Sequence, residues 1–273
     1  MRHRPRARTS YREPMRSVPW WALLSSACAP VLLVGGWTVS AVLQGPGYDP
    51  GSATISILAS DGAQGYWVMT SALVGLGVCD VVTACGLRPA ARAGRVALGG
   101  GGLAAMLLAF FPAPASGGSL DHGTVVAVGF ALLALWPVLA VRRPGHAWRH
   151  GRPELPDPSP ASDPPPASGL PSASGLPPAS GLPSASGSPP ASDLPPASGR
   201  APAEGSVPWG LRPRPSLMAA GLMWLGGGWF LLALFVNDTA GAAERVVTFA
   251  QAFWPLVVVV SCVRWTGDDA RTA

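Results

Sequence analysis

The chain contains no lysine, and only 12% of its residues are charged. Soluble globular domains contain about 25% charged residues, so this shortage favours a chain that lies largely in lipid. All 19 basic residues are arginines, and Ala, Gly and Pro are abundant. This compositional bias is typical of a GC-rich bacterial genome. The net charge of +5 does not indicate a nucleic-acid partner, because the arginines lie between apolar stretches and act there as topology signals.

Residues that bind metals are also scarce. The four cysteines lie inside apolar segments, with no CxxC or Cys/His spacing: Cys28, Cys79, Cys85 and Cys262. We interpret them as small apolar packing residues. The sequence therefore predicts no zinc site, no disulfide framework and no cofactor.

Long apolar stretches are the main feature that the chain does have. A helix of about 20 residues crosses a hydrocarbon core of about 30 Å, and a chain in lipid must satisfy its own backbone hydrogen bonds. Six such stretches lie near residues 19–43, 65–86, 96–113, 123–141, 216–236 and 245–264. The predicted fold class is therefore an all-α membrane protein with six transmembrane helices.

The arginines predict the orientation of these helices. Eighteen of the 19 arginines fall in the N-terminal arm, in the connections after the second and fourth spans, or at the C-terminal end. With six spans, these four segments share one side of the membrane. The positive-inside rule places them, and both termini, in the cytoplasm. We therefore expect a multi-pass protein of the cell membrane.

A linker of different composition divides the chain. From residue 165 to residue 200 a hexapeptide rich in Pro, Ala, Ser and Gly repeats six times, beginning PPASGL and PSASGL. Such a segment cannot bury enough apolar surface to offset the entropy of ordering it. The predicted domains are an Arg-rich arm (1–18), a four-helix block (19–141), a disordered cytoplasmic linker (142–215), a two-helix block (216–264) and a cytoplasmic tail (265–273).

The first external loop, residues 44–64, carries helix signals. Asp49-Pro50 is typical of a helix start, and Asp61-Gly62 is typical of a stop. Ser52, Ser56 and Ser60 recur every four residues between them. We predict a short amphipathic helix on the outer membrane surface or in the mouth of the bundle.

Polar residues of the three external loops are the candidate site. They are Asp49, Ser56, Asp121, His122, Glu244 and Arg245. One interpretation is that they cap helices and contact water. The other is that they gather in a shared binding or catalytic pocket, in which Ser56, Asp121 and His122 are the catalytic candidates.

Two polar residues lie inside predicted spans. Asp80 is an intramembrane carboxylate, which is by default a functional candidate. It also lies two turns before Arg88, so pairing with that arginine or contact with interface water is the alternative. Gln251 is expected to link helices by a hydrogen bond.

Several motifs together resemble a known family. They are Gly47-Tyr48-Asp49-Pro50, the run Thr54–Ala59, the run Trp67–Thr70, Gly86-Leu87-Arg88-Pro89, Phe111-Pro112 and His122-Gly123. This pattern is similar to the bacterial domain of unknown function 998 family of integral membrane proteins. The likeness covers the blocks around 19–141 and 216–264. It implies six membrane helices and implies no activity.

Three classes of function remain open. The sequence favours a non-enzymatic module that binds membrane lipids or a small molecule, or that assembles with a membrane-protein partner or as a homo-oligomer. A transporter or channel using Asp80 is one alternative. An intramembrane hydrolase using Ser56 and His122 is the other. A catalytic zinc takes three protein ligands, and His122 is the one histidine in the predicted external loops, so no metal is expected.

Overall fold

The computed structural model describes residues 18–114, 118–142, 207–236 and 238–271, with side chains described as far as residue 265. All of these residues belong to one compact unit. They form helices, and none of them lies in a strand. The predictions for the Arg-rich arm, up to residue 17, and for the linker from residue 143 to residue 206, with its repeats at 165–200, fall outside the described residues.

Seven α-helices make up this unit. In chain order they are α1 (Trp20–Gln44), α2 (Ile55–Leu58), α3 (Tyr66–Gly86), α4 (Arg92–Leu107), α5 (Leu120–Leu139), α6 (Pro213–Val236) and α7 (Ala240–Arg271). A short 3₁₀ turn, Trp209–Leu211, precedes α6. Five of the helices, α1, α3, α5, α6 and α7, are long and apolar enough to cross a membrane. Several apolar helices of this length indicate a multi-pass membrane protein.

The third predicted span, 96–113, is the one whose helix is not among the five long apolar helices. The helix there, α4, begins earlier and ends at Leu107, after 16 residues. Its length of about 24 Å is less than the hydrocarbon thickness of about 30 Å. In the first turn of α4, Arg95 donates to the carbonyl oxygens of Ala84 (2.6 Å) and Cys85 (3.0 Å) at the end of α3 and so joins the two helix ends. Such bonds satisfy carbonyls that a helix end leaves free.

The long helices pack in a closed ring. Each packs against the next along the chain, in the order α1, α3, α4, α5, α6 and α7, and α7 returns to pack against α1. The buried core lies inside this ring and includes Leu33, Met69, Leu98, Trp136 and Val258. Apolar side chains also cover the outside of the ring, as lipid-facing surfaces require; on α6 alone, Leu222, Leu225, Leu231 and Phe235 are exposed.

Glycines allow the closest approach between α3 and α4. A Cβ atom added at Gly102 would lie 2.6 Å from the carbonyl oxygen of Gly77 and 2.8 Å from the Cβ of Asp80. Two helix backbones in lipid attract one another mainly through such close packing, so small residues mark their contact. The glycine run 99–102 is therefore a packing surface, and its two last members face the tightest contacts.

Gly102→Ala should lower the free energy of unfolding by about 1–3 kcal/mol, because the added methyl group forces the backbones of α3 and α4 apart. Gly99→Ala is the matched control on the same helix, since its Cβ would make an ordinary contact of 3.6 Å with Ala84. Denaturant unfolding in detergent measures both. Equal changes for the two alanines would contradict the packing described.

Candidate functional site

The first external loop folds as two turns rather than as one helix. Asp49 accepts hydrogen bonds from the backbone of Gly51 (3.0 Å) and from the backbone (3.3 Å) and hydroxyl (2.8 Å) of Ser52. The bond from Gly51 N–H is the main cause that lowers the pKa of Asp49 below its ordinary value. These bonds close a local turn, and the helix that follows has only four residues, Ile55–Leu58. The prediction of a helix running from Asp49 to Asp61 is therefore wrong in its extent.

The loop is tucked into the mouth of the bundle. Ile55, Leu58 and Ala59 are buried against α1 and α3, whereas Ile57 is exposed. The three serines of the predicted polar face separate. Ser52 bonds to Asp49, Ser60 bonds to the carbonyl of Ile57, and Ser56 faces the interior.

The first turn of α7 holds this loop through backbone bonds. Gly241 N–H donates to the carbonyl of Ser52 (3.1 Å), and Ala242 N–H donates to that of Gly51 (2.8 Å). These donors are groups that a helix start leaves free. A side chain at Gly241 would collide with the carbonyls of Pro50 and Ala53, so glycine permits the approach.

The side chain of Arg245 also binds the first external loop. One terminal nitrogen donates to the carbonyls of Pro50 (2.8 Å), Ala53 (3.0 Å) and Gly241 (2.9 Å), and the other donates to the Tyr48 hydroxyl. The guanidinium also lies 5.9 Å from the Trp37 ring centre and 5.8 Å from that of Tyr48. Burial is the main cause that raises the pKa of Tyr48. Both terminal nitrogens of Arg245 thus donate to protein groups.

Three candidates from three different loops do meet. Glu244 accepts hydrogen bonds from the backbone N–H of Ile55 and from the Ser56 hydroxyl, the latter at 3.3 Å. The Nε2 atom of His122 lies 3.3 Å from the same hydroxyl. We call Ser56, His122 and Glu244 the outer cluster.

The position of His122 follows from the start of α5. Ser119 caps this helix by accepting from the backbone N–H of His122. The Nδ1 atom of the ring lies 2.8 Å from the carbonyl oxygen of Phe111. A carbonyl can only accept, so Nδ1 carries a proton and Nε2 of the neutral ring is the nitrogen free to accept. The neutral ring therefore presents an unprotonated Nε2 towards Ser56, whose single hydroxyl proton is donated to Glu244.

The other candidates lie apart from the outer cluster. Asp49 closes its own turn, and Asp121 is exposed in the first turn of α5. Asp80 is buried on α3, with 2% of its surface exposed, and its Oδ1 atom has no hydrogen-bond partner among the described residues. Arg88, the alternative partner that the sequence offers, lies beyond the end of α3 and is exposed. Gln251 is buried and donates from α7 to the carbonyl of Phe130 on α5, at 3.2 Å.

Two cavities adjoin the outer cluster. The inner cavity, of about 80 Å³, lies inside the ring, and its lining includes all three cluster residues, Asp80 and Gln251. The lateral cleft, of about 670 Å³, lies between α5 and α6, and its lining includes Ser56 and His122. The walls of both are mainly apolar. Thr248 also lines the inner cavity and was missed from the sequence, although Glu244, Thr248 and Gln251 follow one another at helical spacings of four and three.

Within the described part of the chain, no three His, Cys, Asp or Glu side chains gather in a way that could hold a metal ion. The outer cluster offers one histidine, one carboxylate and one hydroxyl. Its chemistry is hydrogen bonding and proton acceptance.

Glu244→Met should loosen the first external loop, because it keeps the side-chain length but leaves the buried N–H of Ile55 without an acceptor. We expect amide hydrogen exchange at Ile55 to become faster on the order of 10- to 100-fold, which corresponds to a cost of about 1–3 kcal/mol. Glu244→Gln is the matched control, since it retains an oxygen for that N–H and should stay near the wild type. Equal exchange in the two variants would show that the carboxylate does not hold the loop.

Comparison with known proteins gives one match. No curated protein and no solved structure matches the chain. The matching family model covers residues 26–153, which begin within α1 and extend past the end of α5, and the second block at 216–264 lies outside it. Over residues 26–153 the chain matches the family described as a protein of unknown function, DUF998, which confirms the family that its motifs resemble.

Proposed function

We propose that the protein is a non-enzymatic membrane module that binds a small amphipathic molecule. The polar group of this ligand would lie at the outer cluster, and its apolar part would lie in the lateral cleft. The observation that carries the proposal is that Ser56 and His122 belong to the polar outer cluster and also line the mainly apolar lateral cleft. Most small-molecule sites combine apolar walls with a few convergent polar groups.

The dimensions of the lateral cleft suit a membrane-derived ligand. Its volume of about 670 Å³ falls within the range of about 300–1,000 Å³ typical of ligand sites. Val126 and Phe130 of α5 form one wall, and Met223, Leu231 and Leu234 of α6 are on the other. An acyl or alkyl chain buried there would exchange lipid for protein contacts.

The outer cluster favours a head group that donates hydrogen bonds. The Ser56 hydroxyl has one proton and donates it to Glu244, so the Nε2 atom of His122 beside it remains an acceptor for a ligand. Arg245, which would attract an anion, already donates to the loop. We therefore propose a neutral hydroxyl or a cationic amine head group rather than a phosphate bound directly.

The full chain purified into lipid nanodiscs should carry one such molecule per protein by native mass spectrometry. Gly227→Leu should remove it, because Gly227 lines the cleft and has open space at its Cβ position. Gly221→Leu is the matched control, since that position is equally open on the same helix but outside the cleft. Retention in both variants would contradict binding in the lateral cleft.

Hydrolysis is the second candidate function, and the contact between Ser56 and His122 favours it. A histidine whose Nδ1 proton is held can accept the proton of a serine hydroxyl that attacks an ester or amide carbonyl. Here, however, a backbone carbonyl holds the ring, and the serine also bonds to Glu244. Turnover of the bound molecule by the wild type, lost in Ser56→Ala, would replace binding by hydrolysis.

We also propose that the chain crosses the cell membrane six times, with both termini and the connection between α5 and α6 in the cytoplasm. Direct contacts among Ser56, His122 and Glu244 support this, because they bring the α1–α3, α4–α5 and α6–α7 connections to one end of the ring. Contacts at the other end agree, since Ala91 N–H donates to the carbonyl of Ala140. For these contacts to form, α4 must run from one end to the other. The linker then divides the ring into four helices and two.

Cysteine labelling of intact cells tests this topology. In a chain whose four cysteines are replaced by alanine, Asp61→Cys should react with an impermeant maleimide added outside. Ser186→Cys should react only after the cells are permeabilised. Labelling of Ser186→Cys in intact cells, or protection of Asp61→Cys until lysis, would reverse or break the proposed orientation.

A further inference from the structure

The inner cavity contains a buried carboxylate, that of Asp80, whose burial is not explained by the outer cluster. Asp80 lies on α3 about 21 Å along the helix axis from Tyr66, and its Oδ1 atom has no hydrogen-bond partner among the described residues. Asp80 also lines the inner cavity. The Cβ of Asp80 lies against Gly102 of α4, where an added methyl group would come within 2.8 Å of it.

The surroundings of Asp80 make an unpaired carboxylate costly. The cavity walls nearby are apolar and include Leu76, Ala104 and Leu133. An ionised carboxylate without a partner is costly in a membrane span. Buried polar groups in proteins almost always have partners. A group that occupies the cavity and donates to Asp80 would remove this cost.

The charge of the cavity indicates the sign of that group. Its described lining contains two carboxylates, Asp80 and Glu244, and no arginine. Glu244 is already supplied with donors by Ile55 and Ser56, whereas Asp80 is not. The cavity therefore attracts a cation, with Asp80 as its partner.

The walls distinguish an organic cation from a metal ion. A hard metal cation takes about six oxygen ligands, and the apolar wall around Asp80 does not offer them. An alkylammonium ion matches both features, since its N–H groups donate to a carboxylate and its carbon chain packs on apolar side chains. The space of about 80 Å³ exceeds the 10–15 Å³ or so that one water needs, so a ligand of several heavy atoms fits.

We propose that the inner cavity binds a small primary alkylammonium ion, with its ammonium group on Asp80 and its chain against Leu76 and Leu133. This inference does not depend on a ligand in the lateral cleft. The ion would enter past the outer cluster, whose Glu244 and His122 face the same cavity.

Titration of the full chain in nanodiscs with propylammonium and butylammonium chloride tests the proposal by calorimetry, with empty nanodiscs as the background. We expect saturable binding of one ion per chain. Asp80→Asn should weaken it on the order of 10- to 100-fold, the value of a charged hydrogen bond. Asp121→Asn is the matched control, because it removes an exposed carboxylate outside the cavity, and should leave the affinity unchanged. Butanol, equal in size but uncharged, should bind much more weakly.

Ala105→Leu keeps Asp80 but fills part of the cavity, and it decides the outcome if Asp80→Asn does not fold. Weaker binding in this variant supports the proposal. The proposal is overturned if Asp80→Asn or Ala105→Leu binds as well as the wild type, if Asp121→Asn loses affinity to the same degree, or if no alkylammonium binds saturably.

Discussion

The docking of the first external loop onto the start of α7 is the interaction on which the rest of the structure depends. Glu244 and Arg245 are consecutive, and they satisfy opposite kinds of backbone group. The carboxylate accepts from the N–H of Ile55, and the guanidinium donates to the carbonyls of Pro50 and Ala53. Near lipid, irregular backbone is tolerated only where protein or water satisfies its polar groups. Glu244 and Arg245 together satisfy these backbone groups of the first external loop.

The same docking closes the ring of helices. The loop belongs to the connection between α1 and α3, and α7 is the last helix, so their contact joins the first block to the second across the long linker. It also brings Ser56 to the interior, where His122 of α5 meets it. The outer cluster is thus a consequence of ring closure. Without the close fit between Gly241 and the first external loop, neither the closed ring nor the outer cluster would form.

Hydropathy could predict most of the helices, because the cost of placing polar backbone in lipid leaves few alternatives. Five predicted spans coincide with long apolar helices. The first external loop could not be predicted equally well, because Asp49 can either cap a helix or close a turn. Which of the two forms depends on the hydrogen bonds that α7 donates to the carbonyl oxygens of that turn. The role of Arg245 depends on that same distant contact. A contact among Ser56, His122 and Glu244 is one of two interpretations that the sequence allows. The sequence cannot decide between them, because these residues lie up to 188 positions apart and meet only in the folded chain.

The two carboxylates of the inner cavity differ in whether the fold explains their burial. Both are almost fully buried, at 2% for Asp80 and 4% for Glu244. Glu244 has a donor for each oxygen, and those donors belong to the loop that it holds, so its burial is explained by the fold itself. Asp80 has no such explanation, because its Oδ1 atom has no hydrogen-bond partner among the described residues. A membrane protein that keeps a carboxylate at such cost, in a cavity, with glycine backbone packed behind it, keeps it for something that enters the cavity.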